Sequence, residues 1–330
     1  MTAPVLTVRD LRTVFDVGGG GTARAVDGIT FDVAPGEAVG LVGESGSGKS
    51  VTALSLLRLI RPPGAIDPGS QIVFDGADLM TLDAESLRRI RGRSIAMIFQ
   101  EPMTALNPVY RVGDQIAEVL RVHGQASEAW ERAVEMLRLT GIPDPAARAR
   151  AYPHQLSGGM RQRVMIAMAL VMHPALVIAD EPTTALDVTV QAQILALLAD
   201  LRARFQSALL LITHDLGVIA ESTSRVIVMY AGEIVESAPV GPLFATPHHP
   251  YTRGLLAAVP RLSDALERRH RLADIPGSVP PATDWPTGCR FRTRCASAWE
   301  RCAAEHPPLY QIGAGHTSRC HLADEPERRR

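Results

Sequence analysis

Ala38-Val39-Gly40-Leu41-Val42-Gly43-Glu44-Ser45-Gly46-Ser47-Gly48-Lys49-Ser50 is the stretch on which the fold turns. A small, apolar run leads directly into the pattern G-x-x-x-x-G-K-S, and the helix-like run Val51 to Ile60 follows it. Glycines let backbone N–H groups curl around phosphate oxygens, and the start of a helix adds partial positive charge there. Lys49 would set its full charge on the β- and γ-phosphates, and the Ser50 hydroxyl would ligate Mg²⁺, which prefers hard oxygen ligands. Gly43, Glu44, Ser45, Gly46, Ser47, Gly48, Lys49, Ser50 and Val51 are therefore the candidate nucleotide contacts. A flexible Gly-Ser turn with a surface lysine would share the composition. The strand before it and the helix after it separate the two readings.

Outward from this loop, short β-rich runs recur at Glu37 to Val42, Ser94 to Phe99, Ala175 to Ala179, Ala208 to Thr213 and Arg225 to Tyr230. Buried parallel strands separated by helices imply an α/β domain. Between Gln100 and Tyr152 the pattern becomes helical, as in Ala129 to Leu139, and predicts a helical subdomain inserted over about residues 101–165. After Tyr251 the chain turns Pro-rich, through Pro260 and Pro276 to Pro286, with no clear strand and helix alternation. A linker and a small appended domain over 256–330, after a main domain over 1–255, fit this change.

The 330 residues are 46% hydrophobic and 21% charged, the balance of a globular protein. A net charge of -1 recruits neither nucleic acid nor anionic lipid, so any membrane role must come from docking to another protein. Charges within the first ten residues argue against a secretory signal, and the apolar run Val164 to Met172 is far shorter than a membrane span. The chain is expected to stay in the cytoplasm. The Arg-rich end, Arg328 to Arg330, reads as a solvated tail.

Leu176-Val177-Ile178-Ala179-Asp180-Glu181 is an apolar strand ending in two carboxylates. Asp180 can hold Mg²⁺ through water, and Glu181 can orient and polarise a water attacking the γ-phosphate. Phosphoryl transfer leaves a protein little covalent work, so positioning and charge compensation dominate. His214 follows another apolar strand, whose end should lie at the carboxyl edge of a parallel sheet where ligands bind. From there it could hydrogen-bond the γ-phosphate, although a His in His-Asp is more often structural.

Leu156-Ser157-Gly158-Gly159-Met160-Arg161-Gln162-Arg163, before the apolar helix pattern Val164 to Met172, resembles the signature sequence of the ABC ATPases. That resemblance implies roles for the other motifs: Gln100 as the Q-loop, Asp180 and Glu181 as the Walker B pair, Ala185-Leu186-Asp187 as the D-loop and His214 as the H-loop. It implies Glu181, His214 and Gln100 in catalysis, with Mg²⁺ held by Ser50, Gln100 and Asp180. Leu156, Ser157, Gly158, Gly159 and Met160 would contact ATP held by an opposing subunit. Phe15 stands where the family usually carries an aromatic residue to stack on adenine. It could instead be a core strand residue sharing a face with Leu11, Thr13 and Val17.

The resemblance narrows to the oligopeptide and dipeptide importer branch. It does so through the loop Gly43 to Ser50, Gln100-Glu101-Pro102-Met103, Met160, Ala179 to Asp187, and His249-Pro250-Tyr251-Thr252-Arg253-Gly254-Leu255-Leu256, and it covers essentially the entire chain. It implies an ATPase at the cytoplasmic face of the cell membrane that energises import of di- or oligopeptides. The implied partners are a second, related ABC ATPase subunit in a heterodimer, two membrane permease subunits and an extracytoplasmic solute-binding protein, with no nucleic acid. Relatives in the branch also serve nickel and other small solutes. A soluble ABC ATPase acting on nucleic acid is the rival class, but it would call for paired cassettes, coiled-coil insertions or basic surfaces.

Cys289, Cys295, Cys302 and Cys320 follow the spacing Cys-x5-Cys-x6-Cys-x17-Cys, with His306, His316 and His321 nearby. Four thiolates could hold Zn²⁺ or an iron-sulfur cluster, and the absence of paired Cys-x-x-Cys favours the cluster. Similar tails in the branch carry cysteines here, and the resemblance implies a 4Fe-4S cluster. Four reduced thiols packing a small subdomain is the alternative.

Overall fold

The computed structural model describes residues 3–101, 105–184, 186–259 and 274–328. Its strands are β1 (Leu6–Gly18), β2 (Gly21–Val33), β3 (Ala38–Val42), β4 (Gly64–Ile66), β5 (Gln71–Phe74), β6 (Ala77–Asp78) and β7 (Ile95–Ile98). They continue with β8 (Leu176–Asp180), β9 (Ala208–Ile212), β10 (Arg225–Tyr230), β11 (Glu233–Pro239), β12 (Tyr310–Gly313) and β13 (His316–Ser318). The chain divides into two compact units. One takes in Met1–Leu6, Val33–Ala38 and Phe74–Ile212, and the other Thr7–Asp32, Val39–Val73 and Thr213–Arg330.

In the first unit β7, β8 and β9 lie side by side and parallel, Ile95 opposite Leu176 and Leu176 opposite Ala208. All residues of β8 and β9 are buried. A strand covered on both faces has no reason to alternate, which is why these segments read as unbroken apolar runs. The helices Val112–Val122, Ala129–Leu139 and Gly158–Leu170 pack on one another in the same unit. The middle one has the bounds its periodicity predicts, and it buries Ala129, Ala133, Met136 and Leu137 on one face. Pro102, Met103 and Ala185 lie outside the described residues.

In the second unit the order is β12-β13-β11-β10-β3, with β10 parallel to β3 and antiparallel to β11. A second sheet sets β2 beside β1 and β1 beside β5, and β4 adds to β1 with Phe15 opposite Gly64. The two-residue turn from β10 to β11 places Ala231 at φ 46° and Gly232 at φ 81°, the mirror-image turn that fits twisted strands.

Two sequence expectations are corrected. The helix expected over Val51 to Ile60 runs Lys49–Leu56, because Gly48, at φ 104°, turns the loop straight into it and Arg58, at φ 50°, cannot continue it. The tail, in which no clear strand and helix alternation was expected, contributes two strands to the sheet: β13 pairs with β11 through Ser318 and Glu236, and β12 pairs with β13. These are short, polar, glycine-flanked segments whose pairing comes from β11. Pro260 and residues 329–330 lie outside the described residues.

Candidate functional site

The phosphate loop belongs to the second unit. The Lys49 side chain is buried, and its ammonium donates to the carbonyl oxygens of Gly43 (2.7 Å) and Glu44 (2.9 Å). The loop is pinned by Ser47 N–H to Glu44 O (3.2 Å) and by Gly232 N–H to Ser47 O (3.0 Å), so the β10–β11 turn supports it from below. Gly48 is required twice over. Its φ is 104°, and a Cβ there would stand 2.4 Å from the Ala25 carbonyl oxygen.

Glu44 is tied to the chain's distant tail. Its backbone N–H donates to the Tyr251 hydroxyl (2.8 Å), and its carboxylate accepts two hydrogen bonds from Arg294, at 2.6 and 2.9 Å. That hydrogen bonding raises the already high pKa of Arg294, while burial raises that of Tyr251. Sequence reasoning placed Glu44 in the loop but missed both partners, because about 200 or more residues separate them from it.

Phe15 is half-buried on β1, its ring lying over Gly64, where an added Cβ would meet the ring carbon Cε1 at 2.5 Å. His214 is exposed directly after Thr213, and Asp215 next to it caps the helix Leu216–Ser222 through Gly217 N–H and Val218 N–H.

In the first unit, β8 delivers Asp180, which is buried, and then Glu181 at φ 46°. A left-handed backbone at a non-glycine residue costs on the order of 1–3 kcal/mol and persists only where its surroundings impose it. The Glu181 carboxylate accepts from Gln100 Nε2 (3.2 Å) and from the Thr184 hydroxyl (2.8 Å), and Glu181 N–H bonds Ile212 O (2.9 Å). Gln100 and Glu181, both singled out in the sequence, are thus brought together across 81 residues. Thr184 was not singled out, although it lies three residues beyond Glu181 in the same motif.

Ser157 caps the helix Gly158–Leu170, its hydroxyl accepting from Met160 N–H (3.3 Å). Leu156 is buried beneath it, whereas a Cβ on Gly158 would meet nothing within 4 Å. Among the described residues, nothing therefore demands a glycine at 158. Asp187 caps the helix Val188–Phe205 by accepting from Val190 N–H (2.9 Å), with Leu186 just before it. The same unit carries a concave surface lined by Arg91, Tyr110, Asp114, Glu118, Arg121 and His123, beside the exposed side chains of Val109 and Val122.

All four cysteines line one small, tightly packed pocket in the second unit, together with His249, Phe291, Trp299 and His321. Cys289 N–H bonds Cys302 O (2.8 Å), so the backbone itself joins two of them. Burial pushes the thiols of Cys289 and Cys320 up to about 12 and raises that of Cys295. Among the described residues no three His, Cys, Asp or Glu side chains converge as a single metal ion requires.

The family model described as ABC transporter matches residues 26–184, and that of the oligopeptide/dipeptide transporter C-terminal region matches residues 235–302. A Brucella melitensis protein named for peptide import and ATP binding is 55% identical over 331 residues, 96% of each chain being covered. The dipeptide transport ATP-binding protein DppD of Escherichia coli is 51% identical over 300 residues, 90% of each chain. Among solved structures, a dimeric ATP-binding cassette in a post-hydrolysis state with ADP and Pi superposes with a TM-score of 0.63 at 27% identity, over 71% of this chain and 98% of that one.

Proposed function

This chain belongs to the ATP-binding proteins of ABC transporters, in the oligopeptide and dipeptide branch, and on that premise we propose how its residues energise a peptide importer. It is an ATPase. The loop Gly43 to Val51 takes the phosphates of ATP, with Lys49 moving its charge from loop carbonyls to phosphate oxygens. Ser50, Gln100 and Asp180 would be the oxygen donors for Mg²⁺, a hard-ligand set that suits it, and the ion when bound would neutralise charge on the phosphates.

Glu181 accepts a hydrogen bond from the attacking water and aligns it with the γ-phosphate, and His214 contacts the same phosphate. The observation that carries this role is the strained Glu181 backbone with its carboxylate held by Gln100 and Thr184. Because Gln100 touches the catalytic carboxylate and opens the helical subdomain over about 101–165, it is the transmission element. Phe15 offers its ring to adenine.

A second ATPase subunit, a related paralogue, completes the site. The signature Leu156, Ser157, Gly158, Gly159 and Met160 covers the ATP of the opposing chain, and Leu186 and Asp187 line that seam. The empty space where a Gly158 side chain would be supports close approach from outside. Two permease subunits dock on the concave surface flanked by Val109, Tyr110 and Val122, at the cytoplasmic face of the membrane. A solute-binding protein outside the membrane completes the transporter, and no nucleic acid is involved. Among the described residues no helix is long and apolar enough to cross a membrane. The domains are 1–255 for nucleotide and 256–330 for the cysteine-bearing extension.

Cys289, Cys295, Cys302 and Cys320 fit a 4Fe-4S cluster. In support, their side chains line one pocket, and the burial that raises the thiols of Cys289 and Cys320 is a cost that thiolate ligation of iron would offset. The cluster would staple the extension together. Zn²⁺ fits less well, because it needs ligands converging on a single point.

The test is Glu181→Gln in the assembled transporter. ATP turnover is expected to fall below about one per cent of wild type while an ATP-bound dimer accumulates on size exclusion. Unchanged hydrolysis would remove Glu181 from the reaction.

A further inference from the structure

Glu44 poses an electrostatic problem. It puts a carboxylate into a loop whose task is to hold a tri-anion, and like charges at such range oppose binding. We propose that Arg294 and Tyr251, both outside the loop, are positioning residues for nucleotide binding: Arg294 neutralises and orients the Glu44 carboxylate, and Tyr251 fixes the Glu44 backbone. The inference rests on the reading that residues 43–51 bind MgATP.

The geometry is that of a built support. The Arg294 side chain is 3% exposed and forks onto both Glu44 oxygens, at 2.6 and 2.9 Å. A planar guanidinium paired with a carboxylate in this way fixes direction as well as charge. Arg294 is anchored in turn by Pro276 O (2.9 Å) and Ile275 O (3.1 Å), and it lies 5.7 Å from the centre of the Tyr230 ring.

Tyr251 is fully buried, its ring 4.7 Å from that of Tyr230 and 5.4 Å from that of Phe291, so its hydroxyl is a fixed acceptor for Glu44 N–H. The Glu44 carbonyl accepts from the Lys49 ammonium and from Ser47 N–H. Residue 44 is therefore the joint between the lysine that meets phosphate and the segment between Cys289 and Cys295 that carries Arg294. A loop of glycines and serines is costly to order, and a support that orders it beforehand leaves more of the binding energy for affinity.

The experiment measures MgATP affinity of the full chain with a fluorescent ATP analogue, alongside KM and kcat and melting temperature. Wild type must bind and Lys49→Ala must not; a failure of that pair refutes the nucleotide-loop reading itself and is distinct from a failure of the Arg294 and Tyr251 roles. Arg294→Gln is expected to weaken binding about tenfold, with KM rising and kcat within about twofold. Glu44→Gln/Arg294→Gln, which removes the stranded carboxylate as well, is expected to return to within about threefold of wild type. Loss of folding alone would not be repaired by a second substitution of that kind. Wild-type affinity in Arg294→Gln, or a double variant as weak as the single, overturns the proposal. Should Arg294→Gln fail to fold, Tyr251→Phe decides. It removes one hydroxyl, is expected to weaken binding about threefold, and would overturn the positioning role by binding as wild type.

Discussion

Replacing Gly48 with alanine tests the phosphate loop most directly, because Gly46 supplies an internal control. Gly46 and Gly48 both sit at positive φ, 81° and 104°, so an alanine at either incurs the cost of a left-handed backbone, about 1–2 kcal/mol. They differ in what a Cβ would meet. At 46 there is nothing within 4 Å, whereas at 48 the Ala25 carbonyl oxygen lies 2.4 Å away, inside any real contact distance. The helix Lys49–Leu56 begins at the next residue and Lys49 is buried, so the loop has little room to yield. Adding the displacement brings the total at 48 to about 3 kcal/mol, felt in the conformation that accepts phosphate. Gly46→Ala should therefore weaken MgATP binding by about 5- to 30-fold and Gly48→Ala by on the order of 100-fold. Titration of both variants with the fluorescent analogue, beside their melting temperatures, measures this. Equal losses at the two positions would refute the argument, since they would mean that backbone conformation alone matters and the Ala25 contact does not.

Three further outcomes are expected. Protein purified without oxygen should be brown and carry about four irons per chain, and Cys320→Ser should lose them; colourless, iron-free wild type would defeat the cluster. Burial pushes Glu236 up, but hydrogen bonds from His316 and from the backbone N–H groups of His248 and His249 more than reverse this and hold it below the ordinary glutamate value. Its stabilisation is therefore full above that ordinary value and is lost as pH falls through the lower, folded-state value. The melting-temperature gap between wild type and Glu236→Gln should be widest near neutrality and should shrink below about pH 4; a gap independent of pH would refute this. Thr184→Val should lower kcat several-fold with little change in KM, because it frees the Glu181 carboxylate from the Thr184 hydroxyl; unchanged turnover would show that this hydroxyl is dispensable.

What the sequence by itself determined is what depends on neighbours along the chain. The apolar runs at β3, β8, β9 and β10, the helix Ala129–Leu139 and the glycine-lysine loop were legible because strand, helix and turn preferences are set within about ten residues. The candidate catalytic residues were legible for a related reason: their chemistry is written in short motifs at strand ends.

Only the tertiary structure decided which distant groups meet. No local pattern gives Arg294 as the partner of Glu44 250 residues away, or Tyr251 as the acceptor for that residue's N–H. Nor does any mark the polar segments Tyr310–Gly313 and His316–Ser318 as strands, since β11 supplies the hydrogen bonds that make β13 one. It was also the fold that gathered four widely spaced cysteines around one pocket. Hydrogen bonds and ion pairs reach only about 3 Å, so they register where the chain has brought groups together in space, and spacing along the sequence carries almost none of that information.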